Sequence, residues 1–121
     1  MKVTELRPML WTEDFKGTID FYATVLGFEV PGADEASGWA ILSIDEVSLM
    51  ISRPNEHTPY EEIGFTGSFY FKTDDVDALW EKLKDKAKVC YSIENFFYGM
   101  REFAIYDNNG YLLQFGQEIA N

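Results

Sequence analysis

The chain has 121 residues, of which 46% are apolar and 17% aromatic, a composition that fits one domain with a packed core and excludes two separate domains. Its 21 Asp and Glu residues against 10 Lys and Arg give a net charge of −11, which excludes nucleic acid and anionic membranes as expected partners and favours a neutral or cationic one, unless the acidity serves only solubility. The N terminus is unlike a signal peptide and no apolar run reaches membrane-spanning length, which predicts a cytoplasmic protein whose single cysteine, Cys90, is a reduced and buried small hydrophobe.

The first predicted elements are a short strand and an amphipathic helix. The segment Leu6–Trp11 is apolar-rich, and its Pro8 favours an edge position or the start of a strand. Asp14 can then cap a helix, and Gly27 stands where a helix commonly ends. The helix itself is indicated by apolar residues at helical spacing, namely Phe15, Ile19, Tyr22 and Leu26.

Three further strands complete the first half of the chain. Phe28–Val30 has the composition of a strand, and the loop-like segment Pro31–Gly38 follows it. Trp39–Ile44 and Val47–Ser52 then predict a hairpin. The order in this half is therefore strand, helix and three strands.

The second half repeats this order after a connector. The connector, Pro54–Gly67, contains the single histidine, His57, which we expect to be an exposed loop residue. Phe69–Lys72 restarts the pattern, and Asp75 is placed to cap a second helix. That helix carries Val76, Leu79, Trp80 and Leu83 on one face, and the later strands are Val89–Tyr91, Phe103–Tyr106 and Tyr111–Phe115.

Equivalent positions in the two halves are separated by nearly constant intervals. Such a repeat predicts an α+β protein, 1–121, made of two βαβββ modules at about 4–53 and 66–117. Pairing of the two sheets would give an open, curved half-barrel with alternating side chains on its concave face. The interval is 61 positions from Asp14 to Asp75, and 64 positions from Ala40 to Ala104 and from Leu49 to Leu113.

Several local motifs carry a family resemblance. They include Asp14-Phe15, Asp20-Phe21-Tyr22, Leu26-Gly27-Phe28 and the closing stretch from Tyr98 to Phe115, with its Asp107-Asn108-Asn109-Gly110 turn. With this order of elements, the chain resembles the vicinal oxygen chelate superfamily of glyoxalases, extradiol dioxygenases and bleomycin resistance proteins. The closing stretch is most similar to the bleomycin resistance branch.

The resemblance also implies where metal-using members hold their metal. The four ligand positions would fall on Arg7, Met50, Ser68 and Gln114, which obey the same intervals of 61 and 64. None of these is an imidazole or a carboxylate, the donors that a divalent metal needs, and arginine would repel a cation. We therefore expect no metal and no cofactor.

The same positions define a candidate ligand-binding face. If Arg7 points inward, strand alternation also directs Met9, Trp11 and Tyr70 inward. A sparsely polar, aromatic lining is typical of an organic-ligand pocket, although core packing would use the same residue types. Three aromatics beside Gly99 and a tryptophan after an acidic loop could stack on a planar ligand, pack in the core or meet a partner subunit. The predicted binding residues are Arg7, Met9, Trp11, Trp39, Met50, Ser68, Tyr70, Phe96, Phe97, Tyr98 and Gln114.

Three functional hypotheses remain open at this point. The resemblance implies a homodimeric antibiotic resistance protein that sequesters a cationic or aromatic small molecule and has no catalytic residue. The alternative is an enzyme of the same superfamily in which Arg7 binds an anionic group and Tyr70 or Glu102 transfers a proton. A scaffold or regulatory dimer without a specific ligand is the third. For the neighbouring Arg101 and Glu102 we favour a structural role in orienting their loop.

Overall fold

A computed structural model describes residues 1–2, 4–54, 62–64 and 67–120. His57 and most of the connector lie outside the described residues. The chain forms two compact units, Met1–Glu61 and Glu62–Asn121. Each unit contains one of the predicted modules.

The first unit is a four-stranded mixed sheet with one helical segment. In chain order the elements are β1 (Met9–Trp11), α1 (Phe15–Asp20), a π-helical continuation (Phe21–Val25), β2 (Glu29–Asp34), β3 (Trp39–Ile44) and β4 (Val47–Ser52). The strands have the order β1-β4-β3-β2, with β1 parallel to β4 and the other pairs antiparallel.

One face of this sheet belongs to the core. Leu10, Ile51 and Ala40 are aligned across three strands and are almost completely buried. The helical segment contributes Phe15 and Tyr22, and Tyr22 meets Phe28 edge to face at 5.3 Å. Strand alternation therefore leaves the opposite face to a second set of side chains.

The second unit repeats this architecture. Its elements are β5 (Phe69–Lys72), α2 (Val76–Leu83), β6 (Lys88–Asn95), β7 (Met100–Tyr106) and β8 (Leu112–Glu118). The sheet has the order β5-β8-β7-β6, with β5 parallel to β8. The core face is aromatic: Phe103 stacks on Phe115 at 5.2 Å, and Trp80 of α2 lies 5.2 Å from Phe103.

Both halves share the same local contacts, so the predicted α+β fold of two βαβββ modules is confirmed. The Asp14 carboxylate accepts a hydrogen bond from the Gly17 amide at 3.0 Å, and the Asp75 carboxylate accepts one from the Ala78 amide at 3.1 Å. Both aspartates are N-caps, as expected from the sequence. The register repeats as well, since Met9 pairs with Met50 in the first sheet and Tyr70 with Gln114 in the second.

Two predictions about the elements were wrong. The expected loop Pro31–Gly38 is in part strand, because β2 runs on to Asp34. Pro31 is tolerated there since β2 is an edge strand whose pairing is irregular between Glu29 and Gly32. Cys90 is exposed rather than buried, because strand alternation on β6 gives the more protected positions to its neighbours.

Other boundaries moved without changing the topology. The strand expected at Leu6–Trp11 starts only at Met9, while the Pro8 carbonyl accepts a hydrogen bond from the Met50 amide at 2.8 Å. Gly27 does follow the helical segment and adopts a left-handed φ of 81°. Within the described residues, no helix is long and apolar enough to cross a membrane.

Candidate functional site

The face of the second sheet opposite its aromatic core carries most of the polar aromatic side chains of this unit. Tyr70, Gln114, Ala104 and Tyr91 are aligned across the four strands in register. Glu102 lies on the same face of β7, two residues before Ala104. We call this surface the tyrosine face.

A buried carboxylate holds the tyrosine face together. Glu102 is only 1% exposed. The Tyr70 hydroxyl donates to its Oε1 at 2.9 Å, and the Tyr91 hydroxyl donates to its Oε2. Burial and, next, the same carboxylate also act on Tyr98 and raise the pKa of its hydroxyl. Two phenols thus donate to one negative group, with a third under its influence, and this satisfies much of the hydrogen-bonding capacity of the carboxylate.

The hydrogen-bond chain continues from this cluster to the edge of the sheet. The Gln114 Nε2 group donates to the Tyr91 hydroxyl at 2.9 Å, and the Ser68 hydroxyl donates to Gln114 Oε1 at 2.5 Å. Because Tyr91 accepts from Gln114, its own proton is directed to Glu102. The exposed Ser68 is therefore linked to the buried carboxylate through two intervening side chains.

The environment keeps these phenols protonated. Burial of the hydroxyls and, next, hydrogen bonding to Glu102 raise the pKa of Tyr70 and of Tyr91 far above the ordinary tyrosine value. The same two causes, in the same order, raise the pKa of Tyr98 to about 12. Tyr70 and Tyr98 as whole residues are 44% and 50% exposed. These groups are hydrogen-bond donors at neutral pH and are poorly matched to proton transfer there.

Gly116 makes this arrangement possible. It is the register partner of Glu102 on β8. A Cβ atom at Gly116 would lie 1.9 Å from the Tyr70 hydroxyl oxygen and 2.7 Å from Cζ. Any larger residue would force the Tyr70 ring away from the strand. Sequence reasoning did not single out this glycine, whose role depends on a side chain on another strand.

The aromatic loop between β6 and β7 extends the tyrosine face. The loop is closed by hydrogen bonds from the Phe96 amide to the Met100 carbonyl at 2.8 Å and from the Gly99 amide to the Phe96 carbonyl at 3.1 Å. The rings of Phe96 and Tyr98 are nearly parallel, with centroids 5.6 Å apart, and Phe96 meets Tyr91 edge to face at 5.5 Å. Phe97 is fully exposed.

The neighbouring Arg101 and Glu102 do not act as a pair. Strand alternation separates them, and the Arg101 guanidinium contacts Asp77 on α2 at 2.9 Å and Asn95 at 3.0 Å. The two residues therefore join separate networks, and the contact of Arg101 with Asn95 lies beside the loop that the predicted structural role concerned. Glu102 and Tyr91 were also missing from the predicted binding set. Both residues lie on the same face of the sheet as Ala104 and Gln114. Strand alternation extended to β6 and β7 could have added them to the predicted set.

The predicted residues of the first unit lie on its sheet, with one exception. Met9 and Met50 are register partners, and Trp11 and Trp39 both flank Ser52 in the register. Met9 is 44% exposed. Arg7 instead precedes β1, is exposed, and its Nε lies 3.1 Å from the Glu5 carboxylate. The inward-pointing Arg7 from which the candidate binding face was built is therefore not observed.

The residues at the metal-ligand positions do not fit a divalent metal. Arg7 carries a positive charge, and Met50 offers only a thioether. Gln114 Oε1, the one amide oxygen of the four, already accepts the Ser68 hydroxyl. In the part of the chain that the structure describes, no three His, Cys, Asp or Glu side chains are grouped so as to hold a metal ion.

A separate groove lies in the first unit. This shallow groove of about 550 Å³ is lined by Phe15, Lys16, Ile19, Asp20, Ala23, Ala33 and Glu35. Its rim includes the exposed ion pair of Lys16 and Glu35 at 3.0 Å, a type of pair that solvent screens strongly. None of the predicted binding residues lines this groove, so volume alone does not identify the site.

Comparison with known families agrees with the module arrangement. Residues 6–115 match the family model of the Glyoxalase/Bleomycin resistance protein/Dioxygenase superfamily. The chain belongs to this superfamily. No curated protein sequence gives a significant match.

Solved structures of this superfamily fold are similar over nearly the whole chain. TnmS3, an antibiotic binding protein from Streptomyces sp. CB03234, has a TM-score of 0.77 and 22% identity, covering 98% of both chains. TioX from Micromonospora sp. ML1 has a TM-score of 0.76 and 20% identity, covering 97% of this chain and 100% of its own. A lactoylglutathione lyase from Agrobacterium tumefaciens has a TM-score of 0.71 and 16% identity, covering 96% and 94%. At these identities the likeness establishes the fold alone.

Proposed function

We propose that the protein is a metal-independent small-molecule binding protein that sequesters an aromatic or cationic ligand, as bleomycin resistance proteins do. The observation that supports this most directly is the tyrosine face, where exposed rings surround the buried Glu102 carboxylate. A surface of this kind offers stacking area together with negative potential. The antibiotic binding activity named for the structural neighbour TnmS3 agrees with this role.

Binding is favoured over catalysis by the chemistry of the same residues. The alternative assigns proton transfer to Tyr70 or Glu102, but the raised pKa of Tyr70 makes its phenol a poor acid or base near neutrality. Glu102 is enclosed by phenol hydroxyls and is 1% exposed. A screen of small carbonyl and epoxide substrates tests this choice. Turnover that Glu102→Gln abolishes would favour the enzyme.

Calorimetric titration with metal-free bleomycin, together with thermal denaturation, tests the proposed binding. We expect saturable heat and a higher unfolding midpoint, since a ligand at 100 times its dissociation constant stabilises the native state by about 2.7 kcal/mol. Absence of both effects at high ligand excess would count heavily against an antibiotic-binding role.

A matched pair of surface variants locates the binding. Phe97→Ser removes a fully exposed ring from the aromatic loop, and Val47→Ser removes a side chain that is 41% exposed in the hairpin of the other unit. Because neither residue is buried, both variants should fold. We expect weaker binding only for Phe97→Ser. Equal binding by the two variants would remove the aromatic loop from the site.

We further propose that the protein works as a homodimer in the cytoplasm. The family resemblance motivates this assembly, and the exposed apolar side chains of Met9 and Phe97 are surface that a second copy can bury. Sedimentation equilibrium should give twice the chain mass of 14.0 kDa. A mass of one chain at all concentrations tested would contradict the dimer.

A further inference from the structure

The carboxylate of Glu102 has no cationic partner within the described part of the chain. The nearest cationic side chains in sequence and in register are engaged elsewhere: Arg101 contacts Asp77, and Lys72 contacts Glu118 at 2.6 Å. The phenol hydroxyls stabilise the negative charge by hydrogen bonding but do not neutralise it. A buried charge without a counterion is unfavourable, so a ligand that brings a positive charge near it is favoured.

The surrounding phenols determine which groups a ligand can contact near this charge. Tyr70 and Tyr91 each donate a hydroxyl proton to Glu102, so these protons are not offered outward. Tyr70 and Tyr98 are about half exposed, so aromatic surface beside the carboxylate is available to a ligand. Ring faces attract cations through their quadrupole, and the carboxylate behind them adds to that attraction.

The shape of the aromatic loop adds a second requirement. Phe96 and Tyr98 are nearly parallel, with an interplanar angle of 13°, and Phe97 stands against Tyr98 at 80°. A flat ring system can therefore lie along Tyr98 while its edge meets Phe97. An aliphatic cation such as a polyamine would be attracted by the carboxylate but could not stack on this aromatic surface.

We propose that Glu102 with Tyr70, Tyr91 and Tyr98, the Glu102 cluster, makes the binding face select planar aromatic cations over neutral aromatic compounds of the same shape. This rests on the proposed binding function and narrows it to one ligand class: ring systems that carry a permanent or protonated nitrogen. It also assigns a ligand-selecting role to Glu102 and Tyr91, neither of which contributes to the family's metal positions.

Two fluorescent probes that share one ring system test the selectivity. N-methylacridinium is a permanent cation, and acridine is neutral in mildly alkaline buffer while keeping the same ring system. We expect the protein to bind the cation at least about tenfold more tightly, a difference of about 1.4 kcal/mol. In Glu102→Gln, which keeps the size but removes the charge, the two affinities should become nearly equal, mainly through loss of cation binding.

A matched control separates the local effect from net charge. Glu81→Gln removes one charge from an exposed side chain on α2, the helix packed against the opposite face of the same sheet. The preference for the cation should persist in this variant. If Glu81→Gln lowers the preference as much as Glu102→Gln, only the overall acidity selects the ligand and the proposal is overturned.

A second variant covers the case in which Glu102→Gln does not fold. Gly116→Ala leaves every charge in place but displaces the Tyr70 ring, and the preference should fall several-fold while near-ultraviolet circular dichroism still reports a packed core. Unchanged preference in all folded variants overturns the role of the cluster but leaves the proposed function standing, because both probes still bind. Binding of neither probe to the wild type overturns the cluster and the proposed function together.

Discussion

Glu102 acquires its role from the strand on which it lies. Alternation on β7 directs it to the tyrosine face and directs Arg101 to α2, so two residues adjacent in sequence join separate networks. Residues on three other segments complete the cluster: Tyr70 on β5, Tyr91 on β6 and Tyr98 in the aromatic loop. The pairing of the strands therefore determines which groups surround this carboxylate.

Stability should fall in alkaline solution because of these tyrosines. The folded state raises the pKa of Tyr70, Tyr91 and Tyr98, so it binds their protons more tightly than the unfolded chain does. Their contribution is fully present below the ordinary tyrosine pKa of about 10 and is lost as the pH rises above it. Urea unfolding across the alkaline range should show a falling free energy of unfolding.

The variant Glu102→Gln checks the cause of that loss. Removing the carboxylate leaves burial to act on the phenols but removes the contribution of the hydrogen bond and the negative charge. Phenolate absorbance should therefore appear at lower pH than in the wild type. Superimposable titration curves of the two proteins would show that Glu102 does not set these pKa values.

The two helices begin in the same way, and the local sequence was enough to predict their capping residues. The Thr12 hydroxyl oxygen accepts a hydrogen bond from the Asp14 amide at 2.9 Å, and the Thr73 hydroxyl oxygen accepts one from the Asp75 amide at 3.4 Å. The spacing of threonine, capping aspartate and apolar helix is thus preserved in both units. Edge strand β2 was harder to predict from the sequence. Its proline and glycine are typical of loops, and pairing with the neighbouring strand keeps the segment extended.

Removal of one N-cap side chain should lower the free energy of unfolding. Asp75→Ala loses the hydrogen bond from the Ala78 amide at 3.1 Å, and we expect a loss of about 1 kcal/mol in the free energy of unfolding. Asp74→Ala is the matched control, since it removes an exposed neighbouring carboxylate that is not the cap. Urea denaturation compares the two variants. Equal losses would mean that charge, and not capping, supports the start of α2.

Across the whole molecule, the two modules share one strand register, while the residues at the metal-ligand positions that the resemblance implies are not suitable donors. Met50 and Gln114 occupy equivalent strand positions, each aligned with a residue of the parallel partner strand, Met9 and Tyr70. A geometry that brings these positions into register is therefore present. The donor atoms that a metal needs are not, so architecture and metal chemistry are separable in this chain.

The protein should remain metal-free when metal is supplied. After incubation with Zn²⁺, Ni²⁺ or Mn²⁺ and removal of excess by gel filtration, elemental analysis should find less than one metal per chain. The thermal midpoint should not change, because Arg7, Met50, Ser68 and Gln114 offer no suitable set of donors. One tightly held ion per chain with a raised midpoint would contradict the exclusion of metal chemistry.

Local sequence patterns were enough to predict the features that depend on neighbouring residues or on a regular period. They predicted the duplicated βαβββ order, both capping aspartates, the hairpin of β3 and β4 and the aromatic loop, because caps, turns and alternating apolar positions are local. Tertiary structure decided which polar groups meet. Glu102 is separated in sequence from Tyr70 and Gly116, and only the pairing of β5, β8 and β7 brings them together.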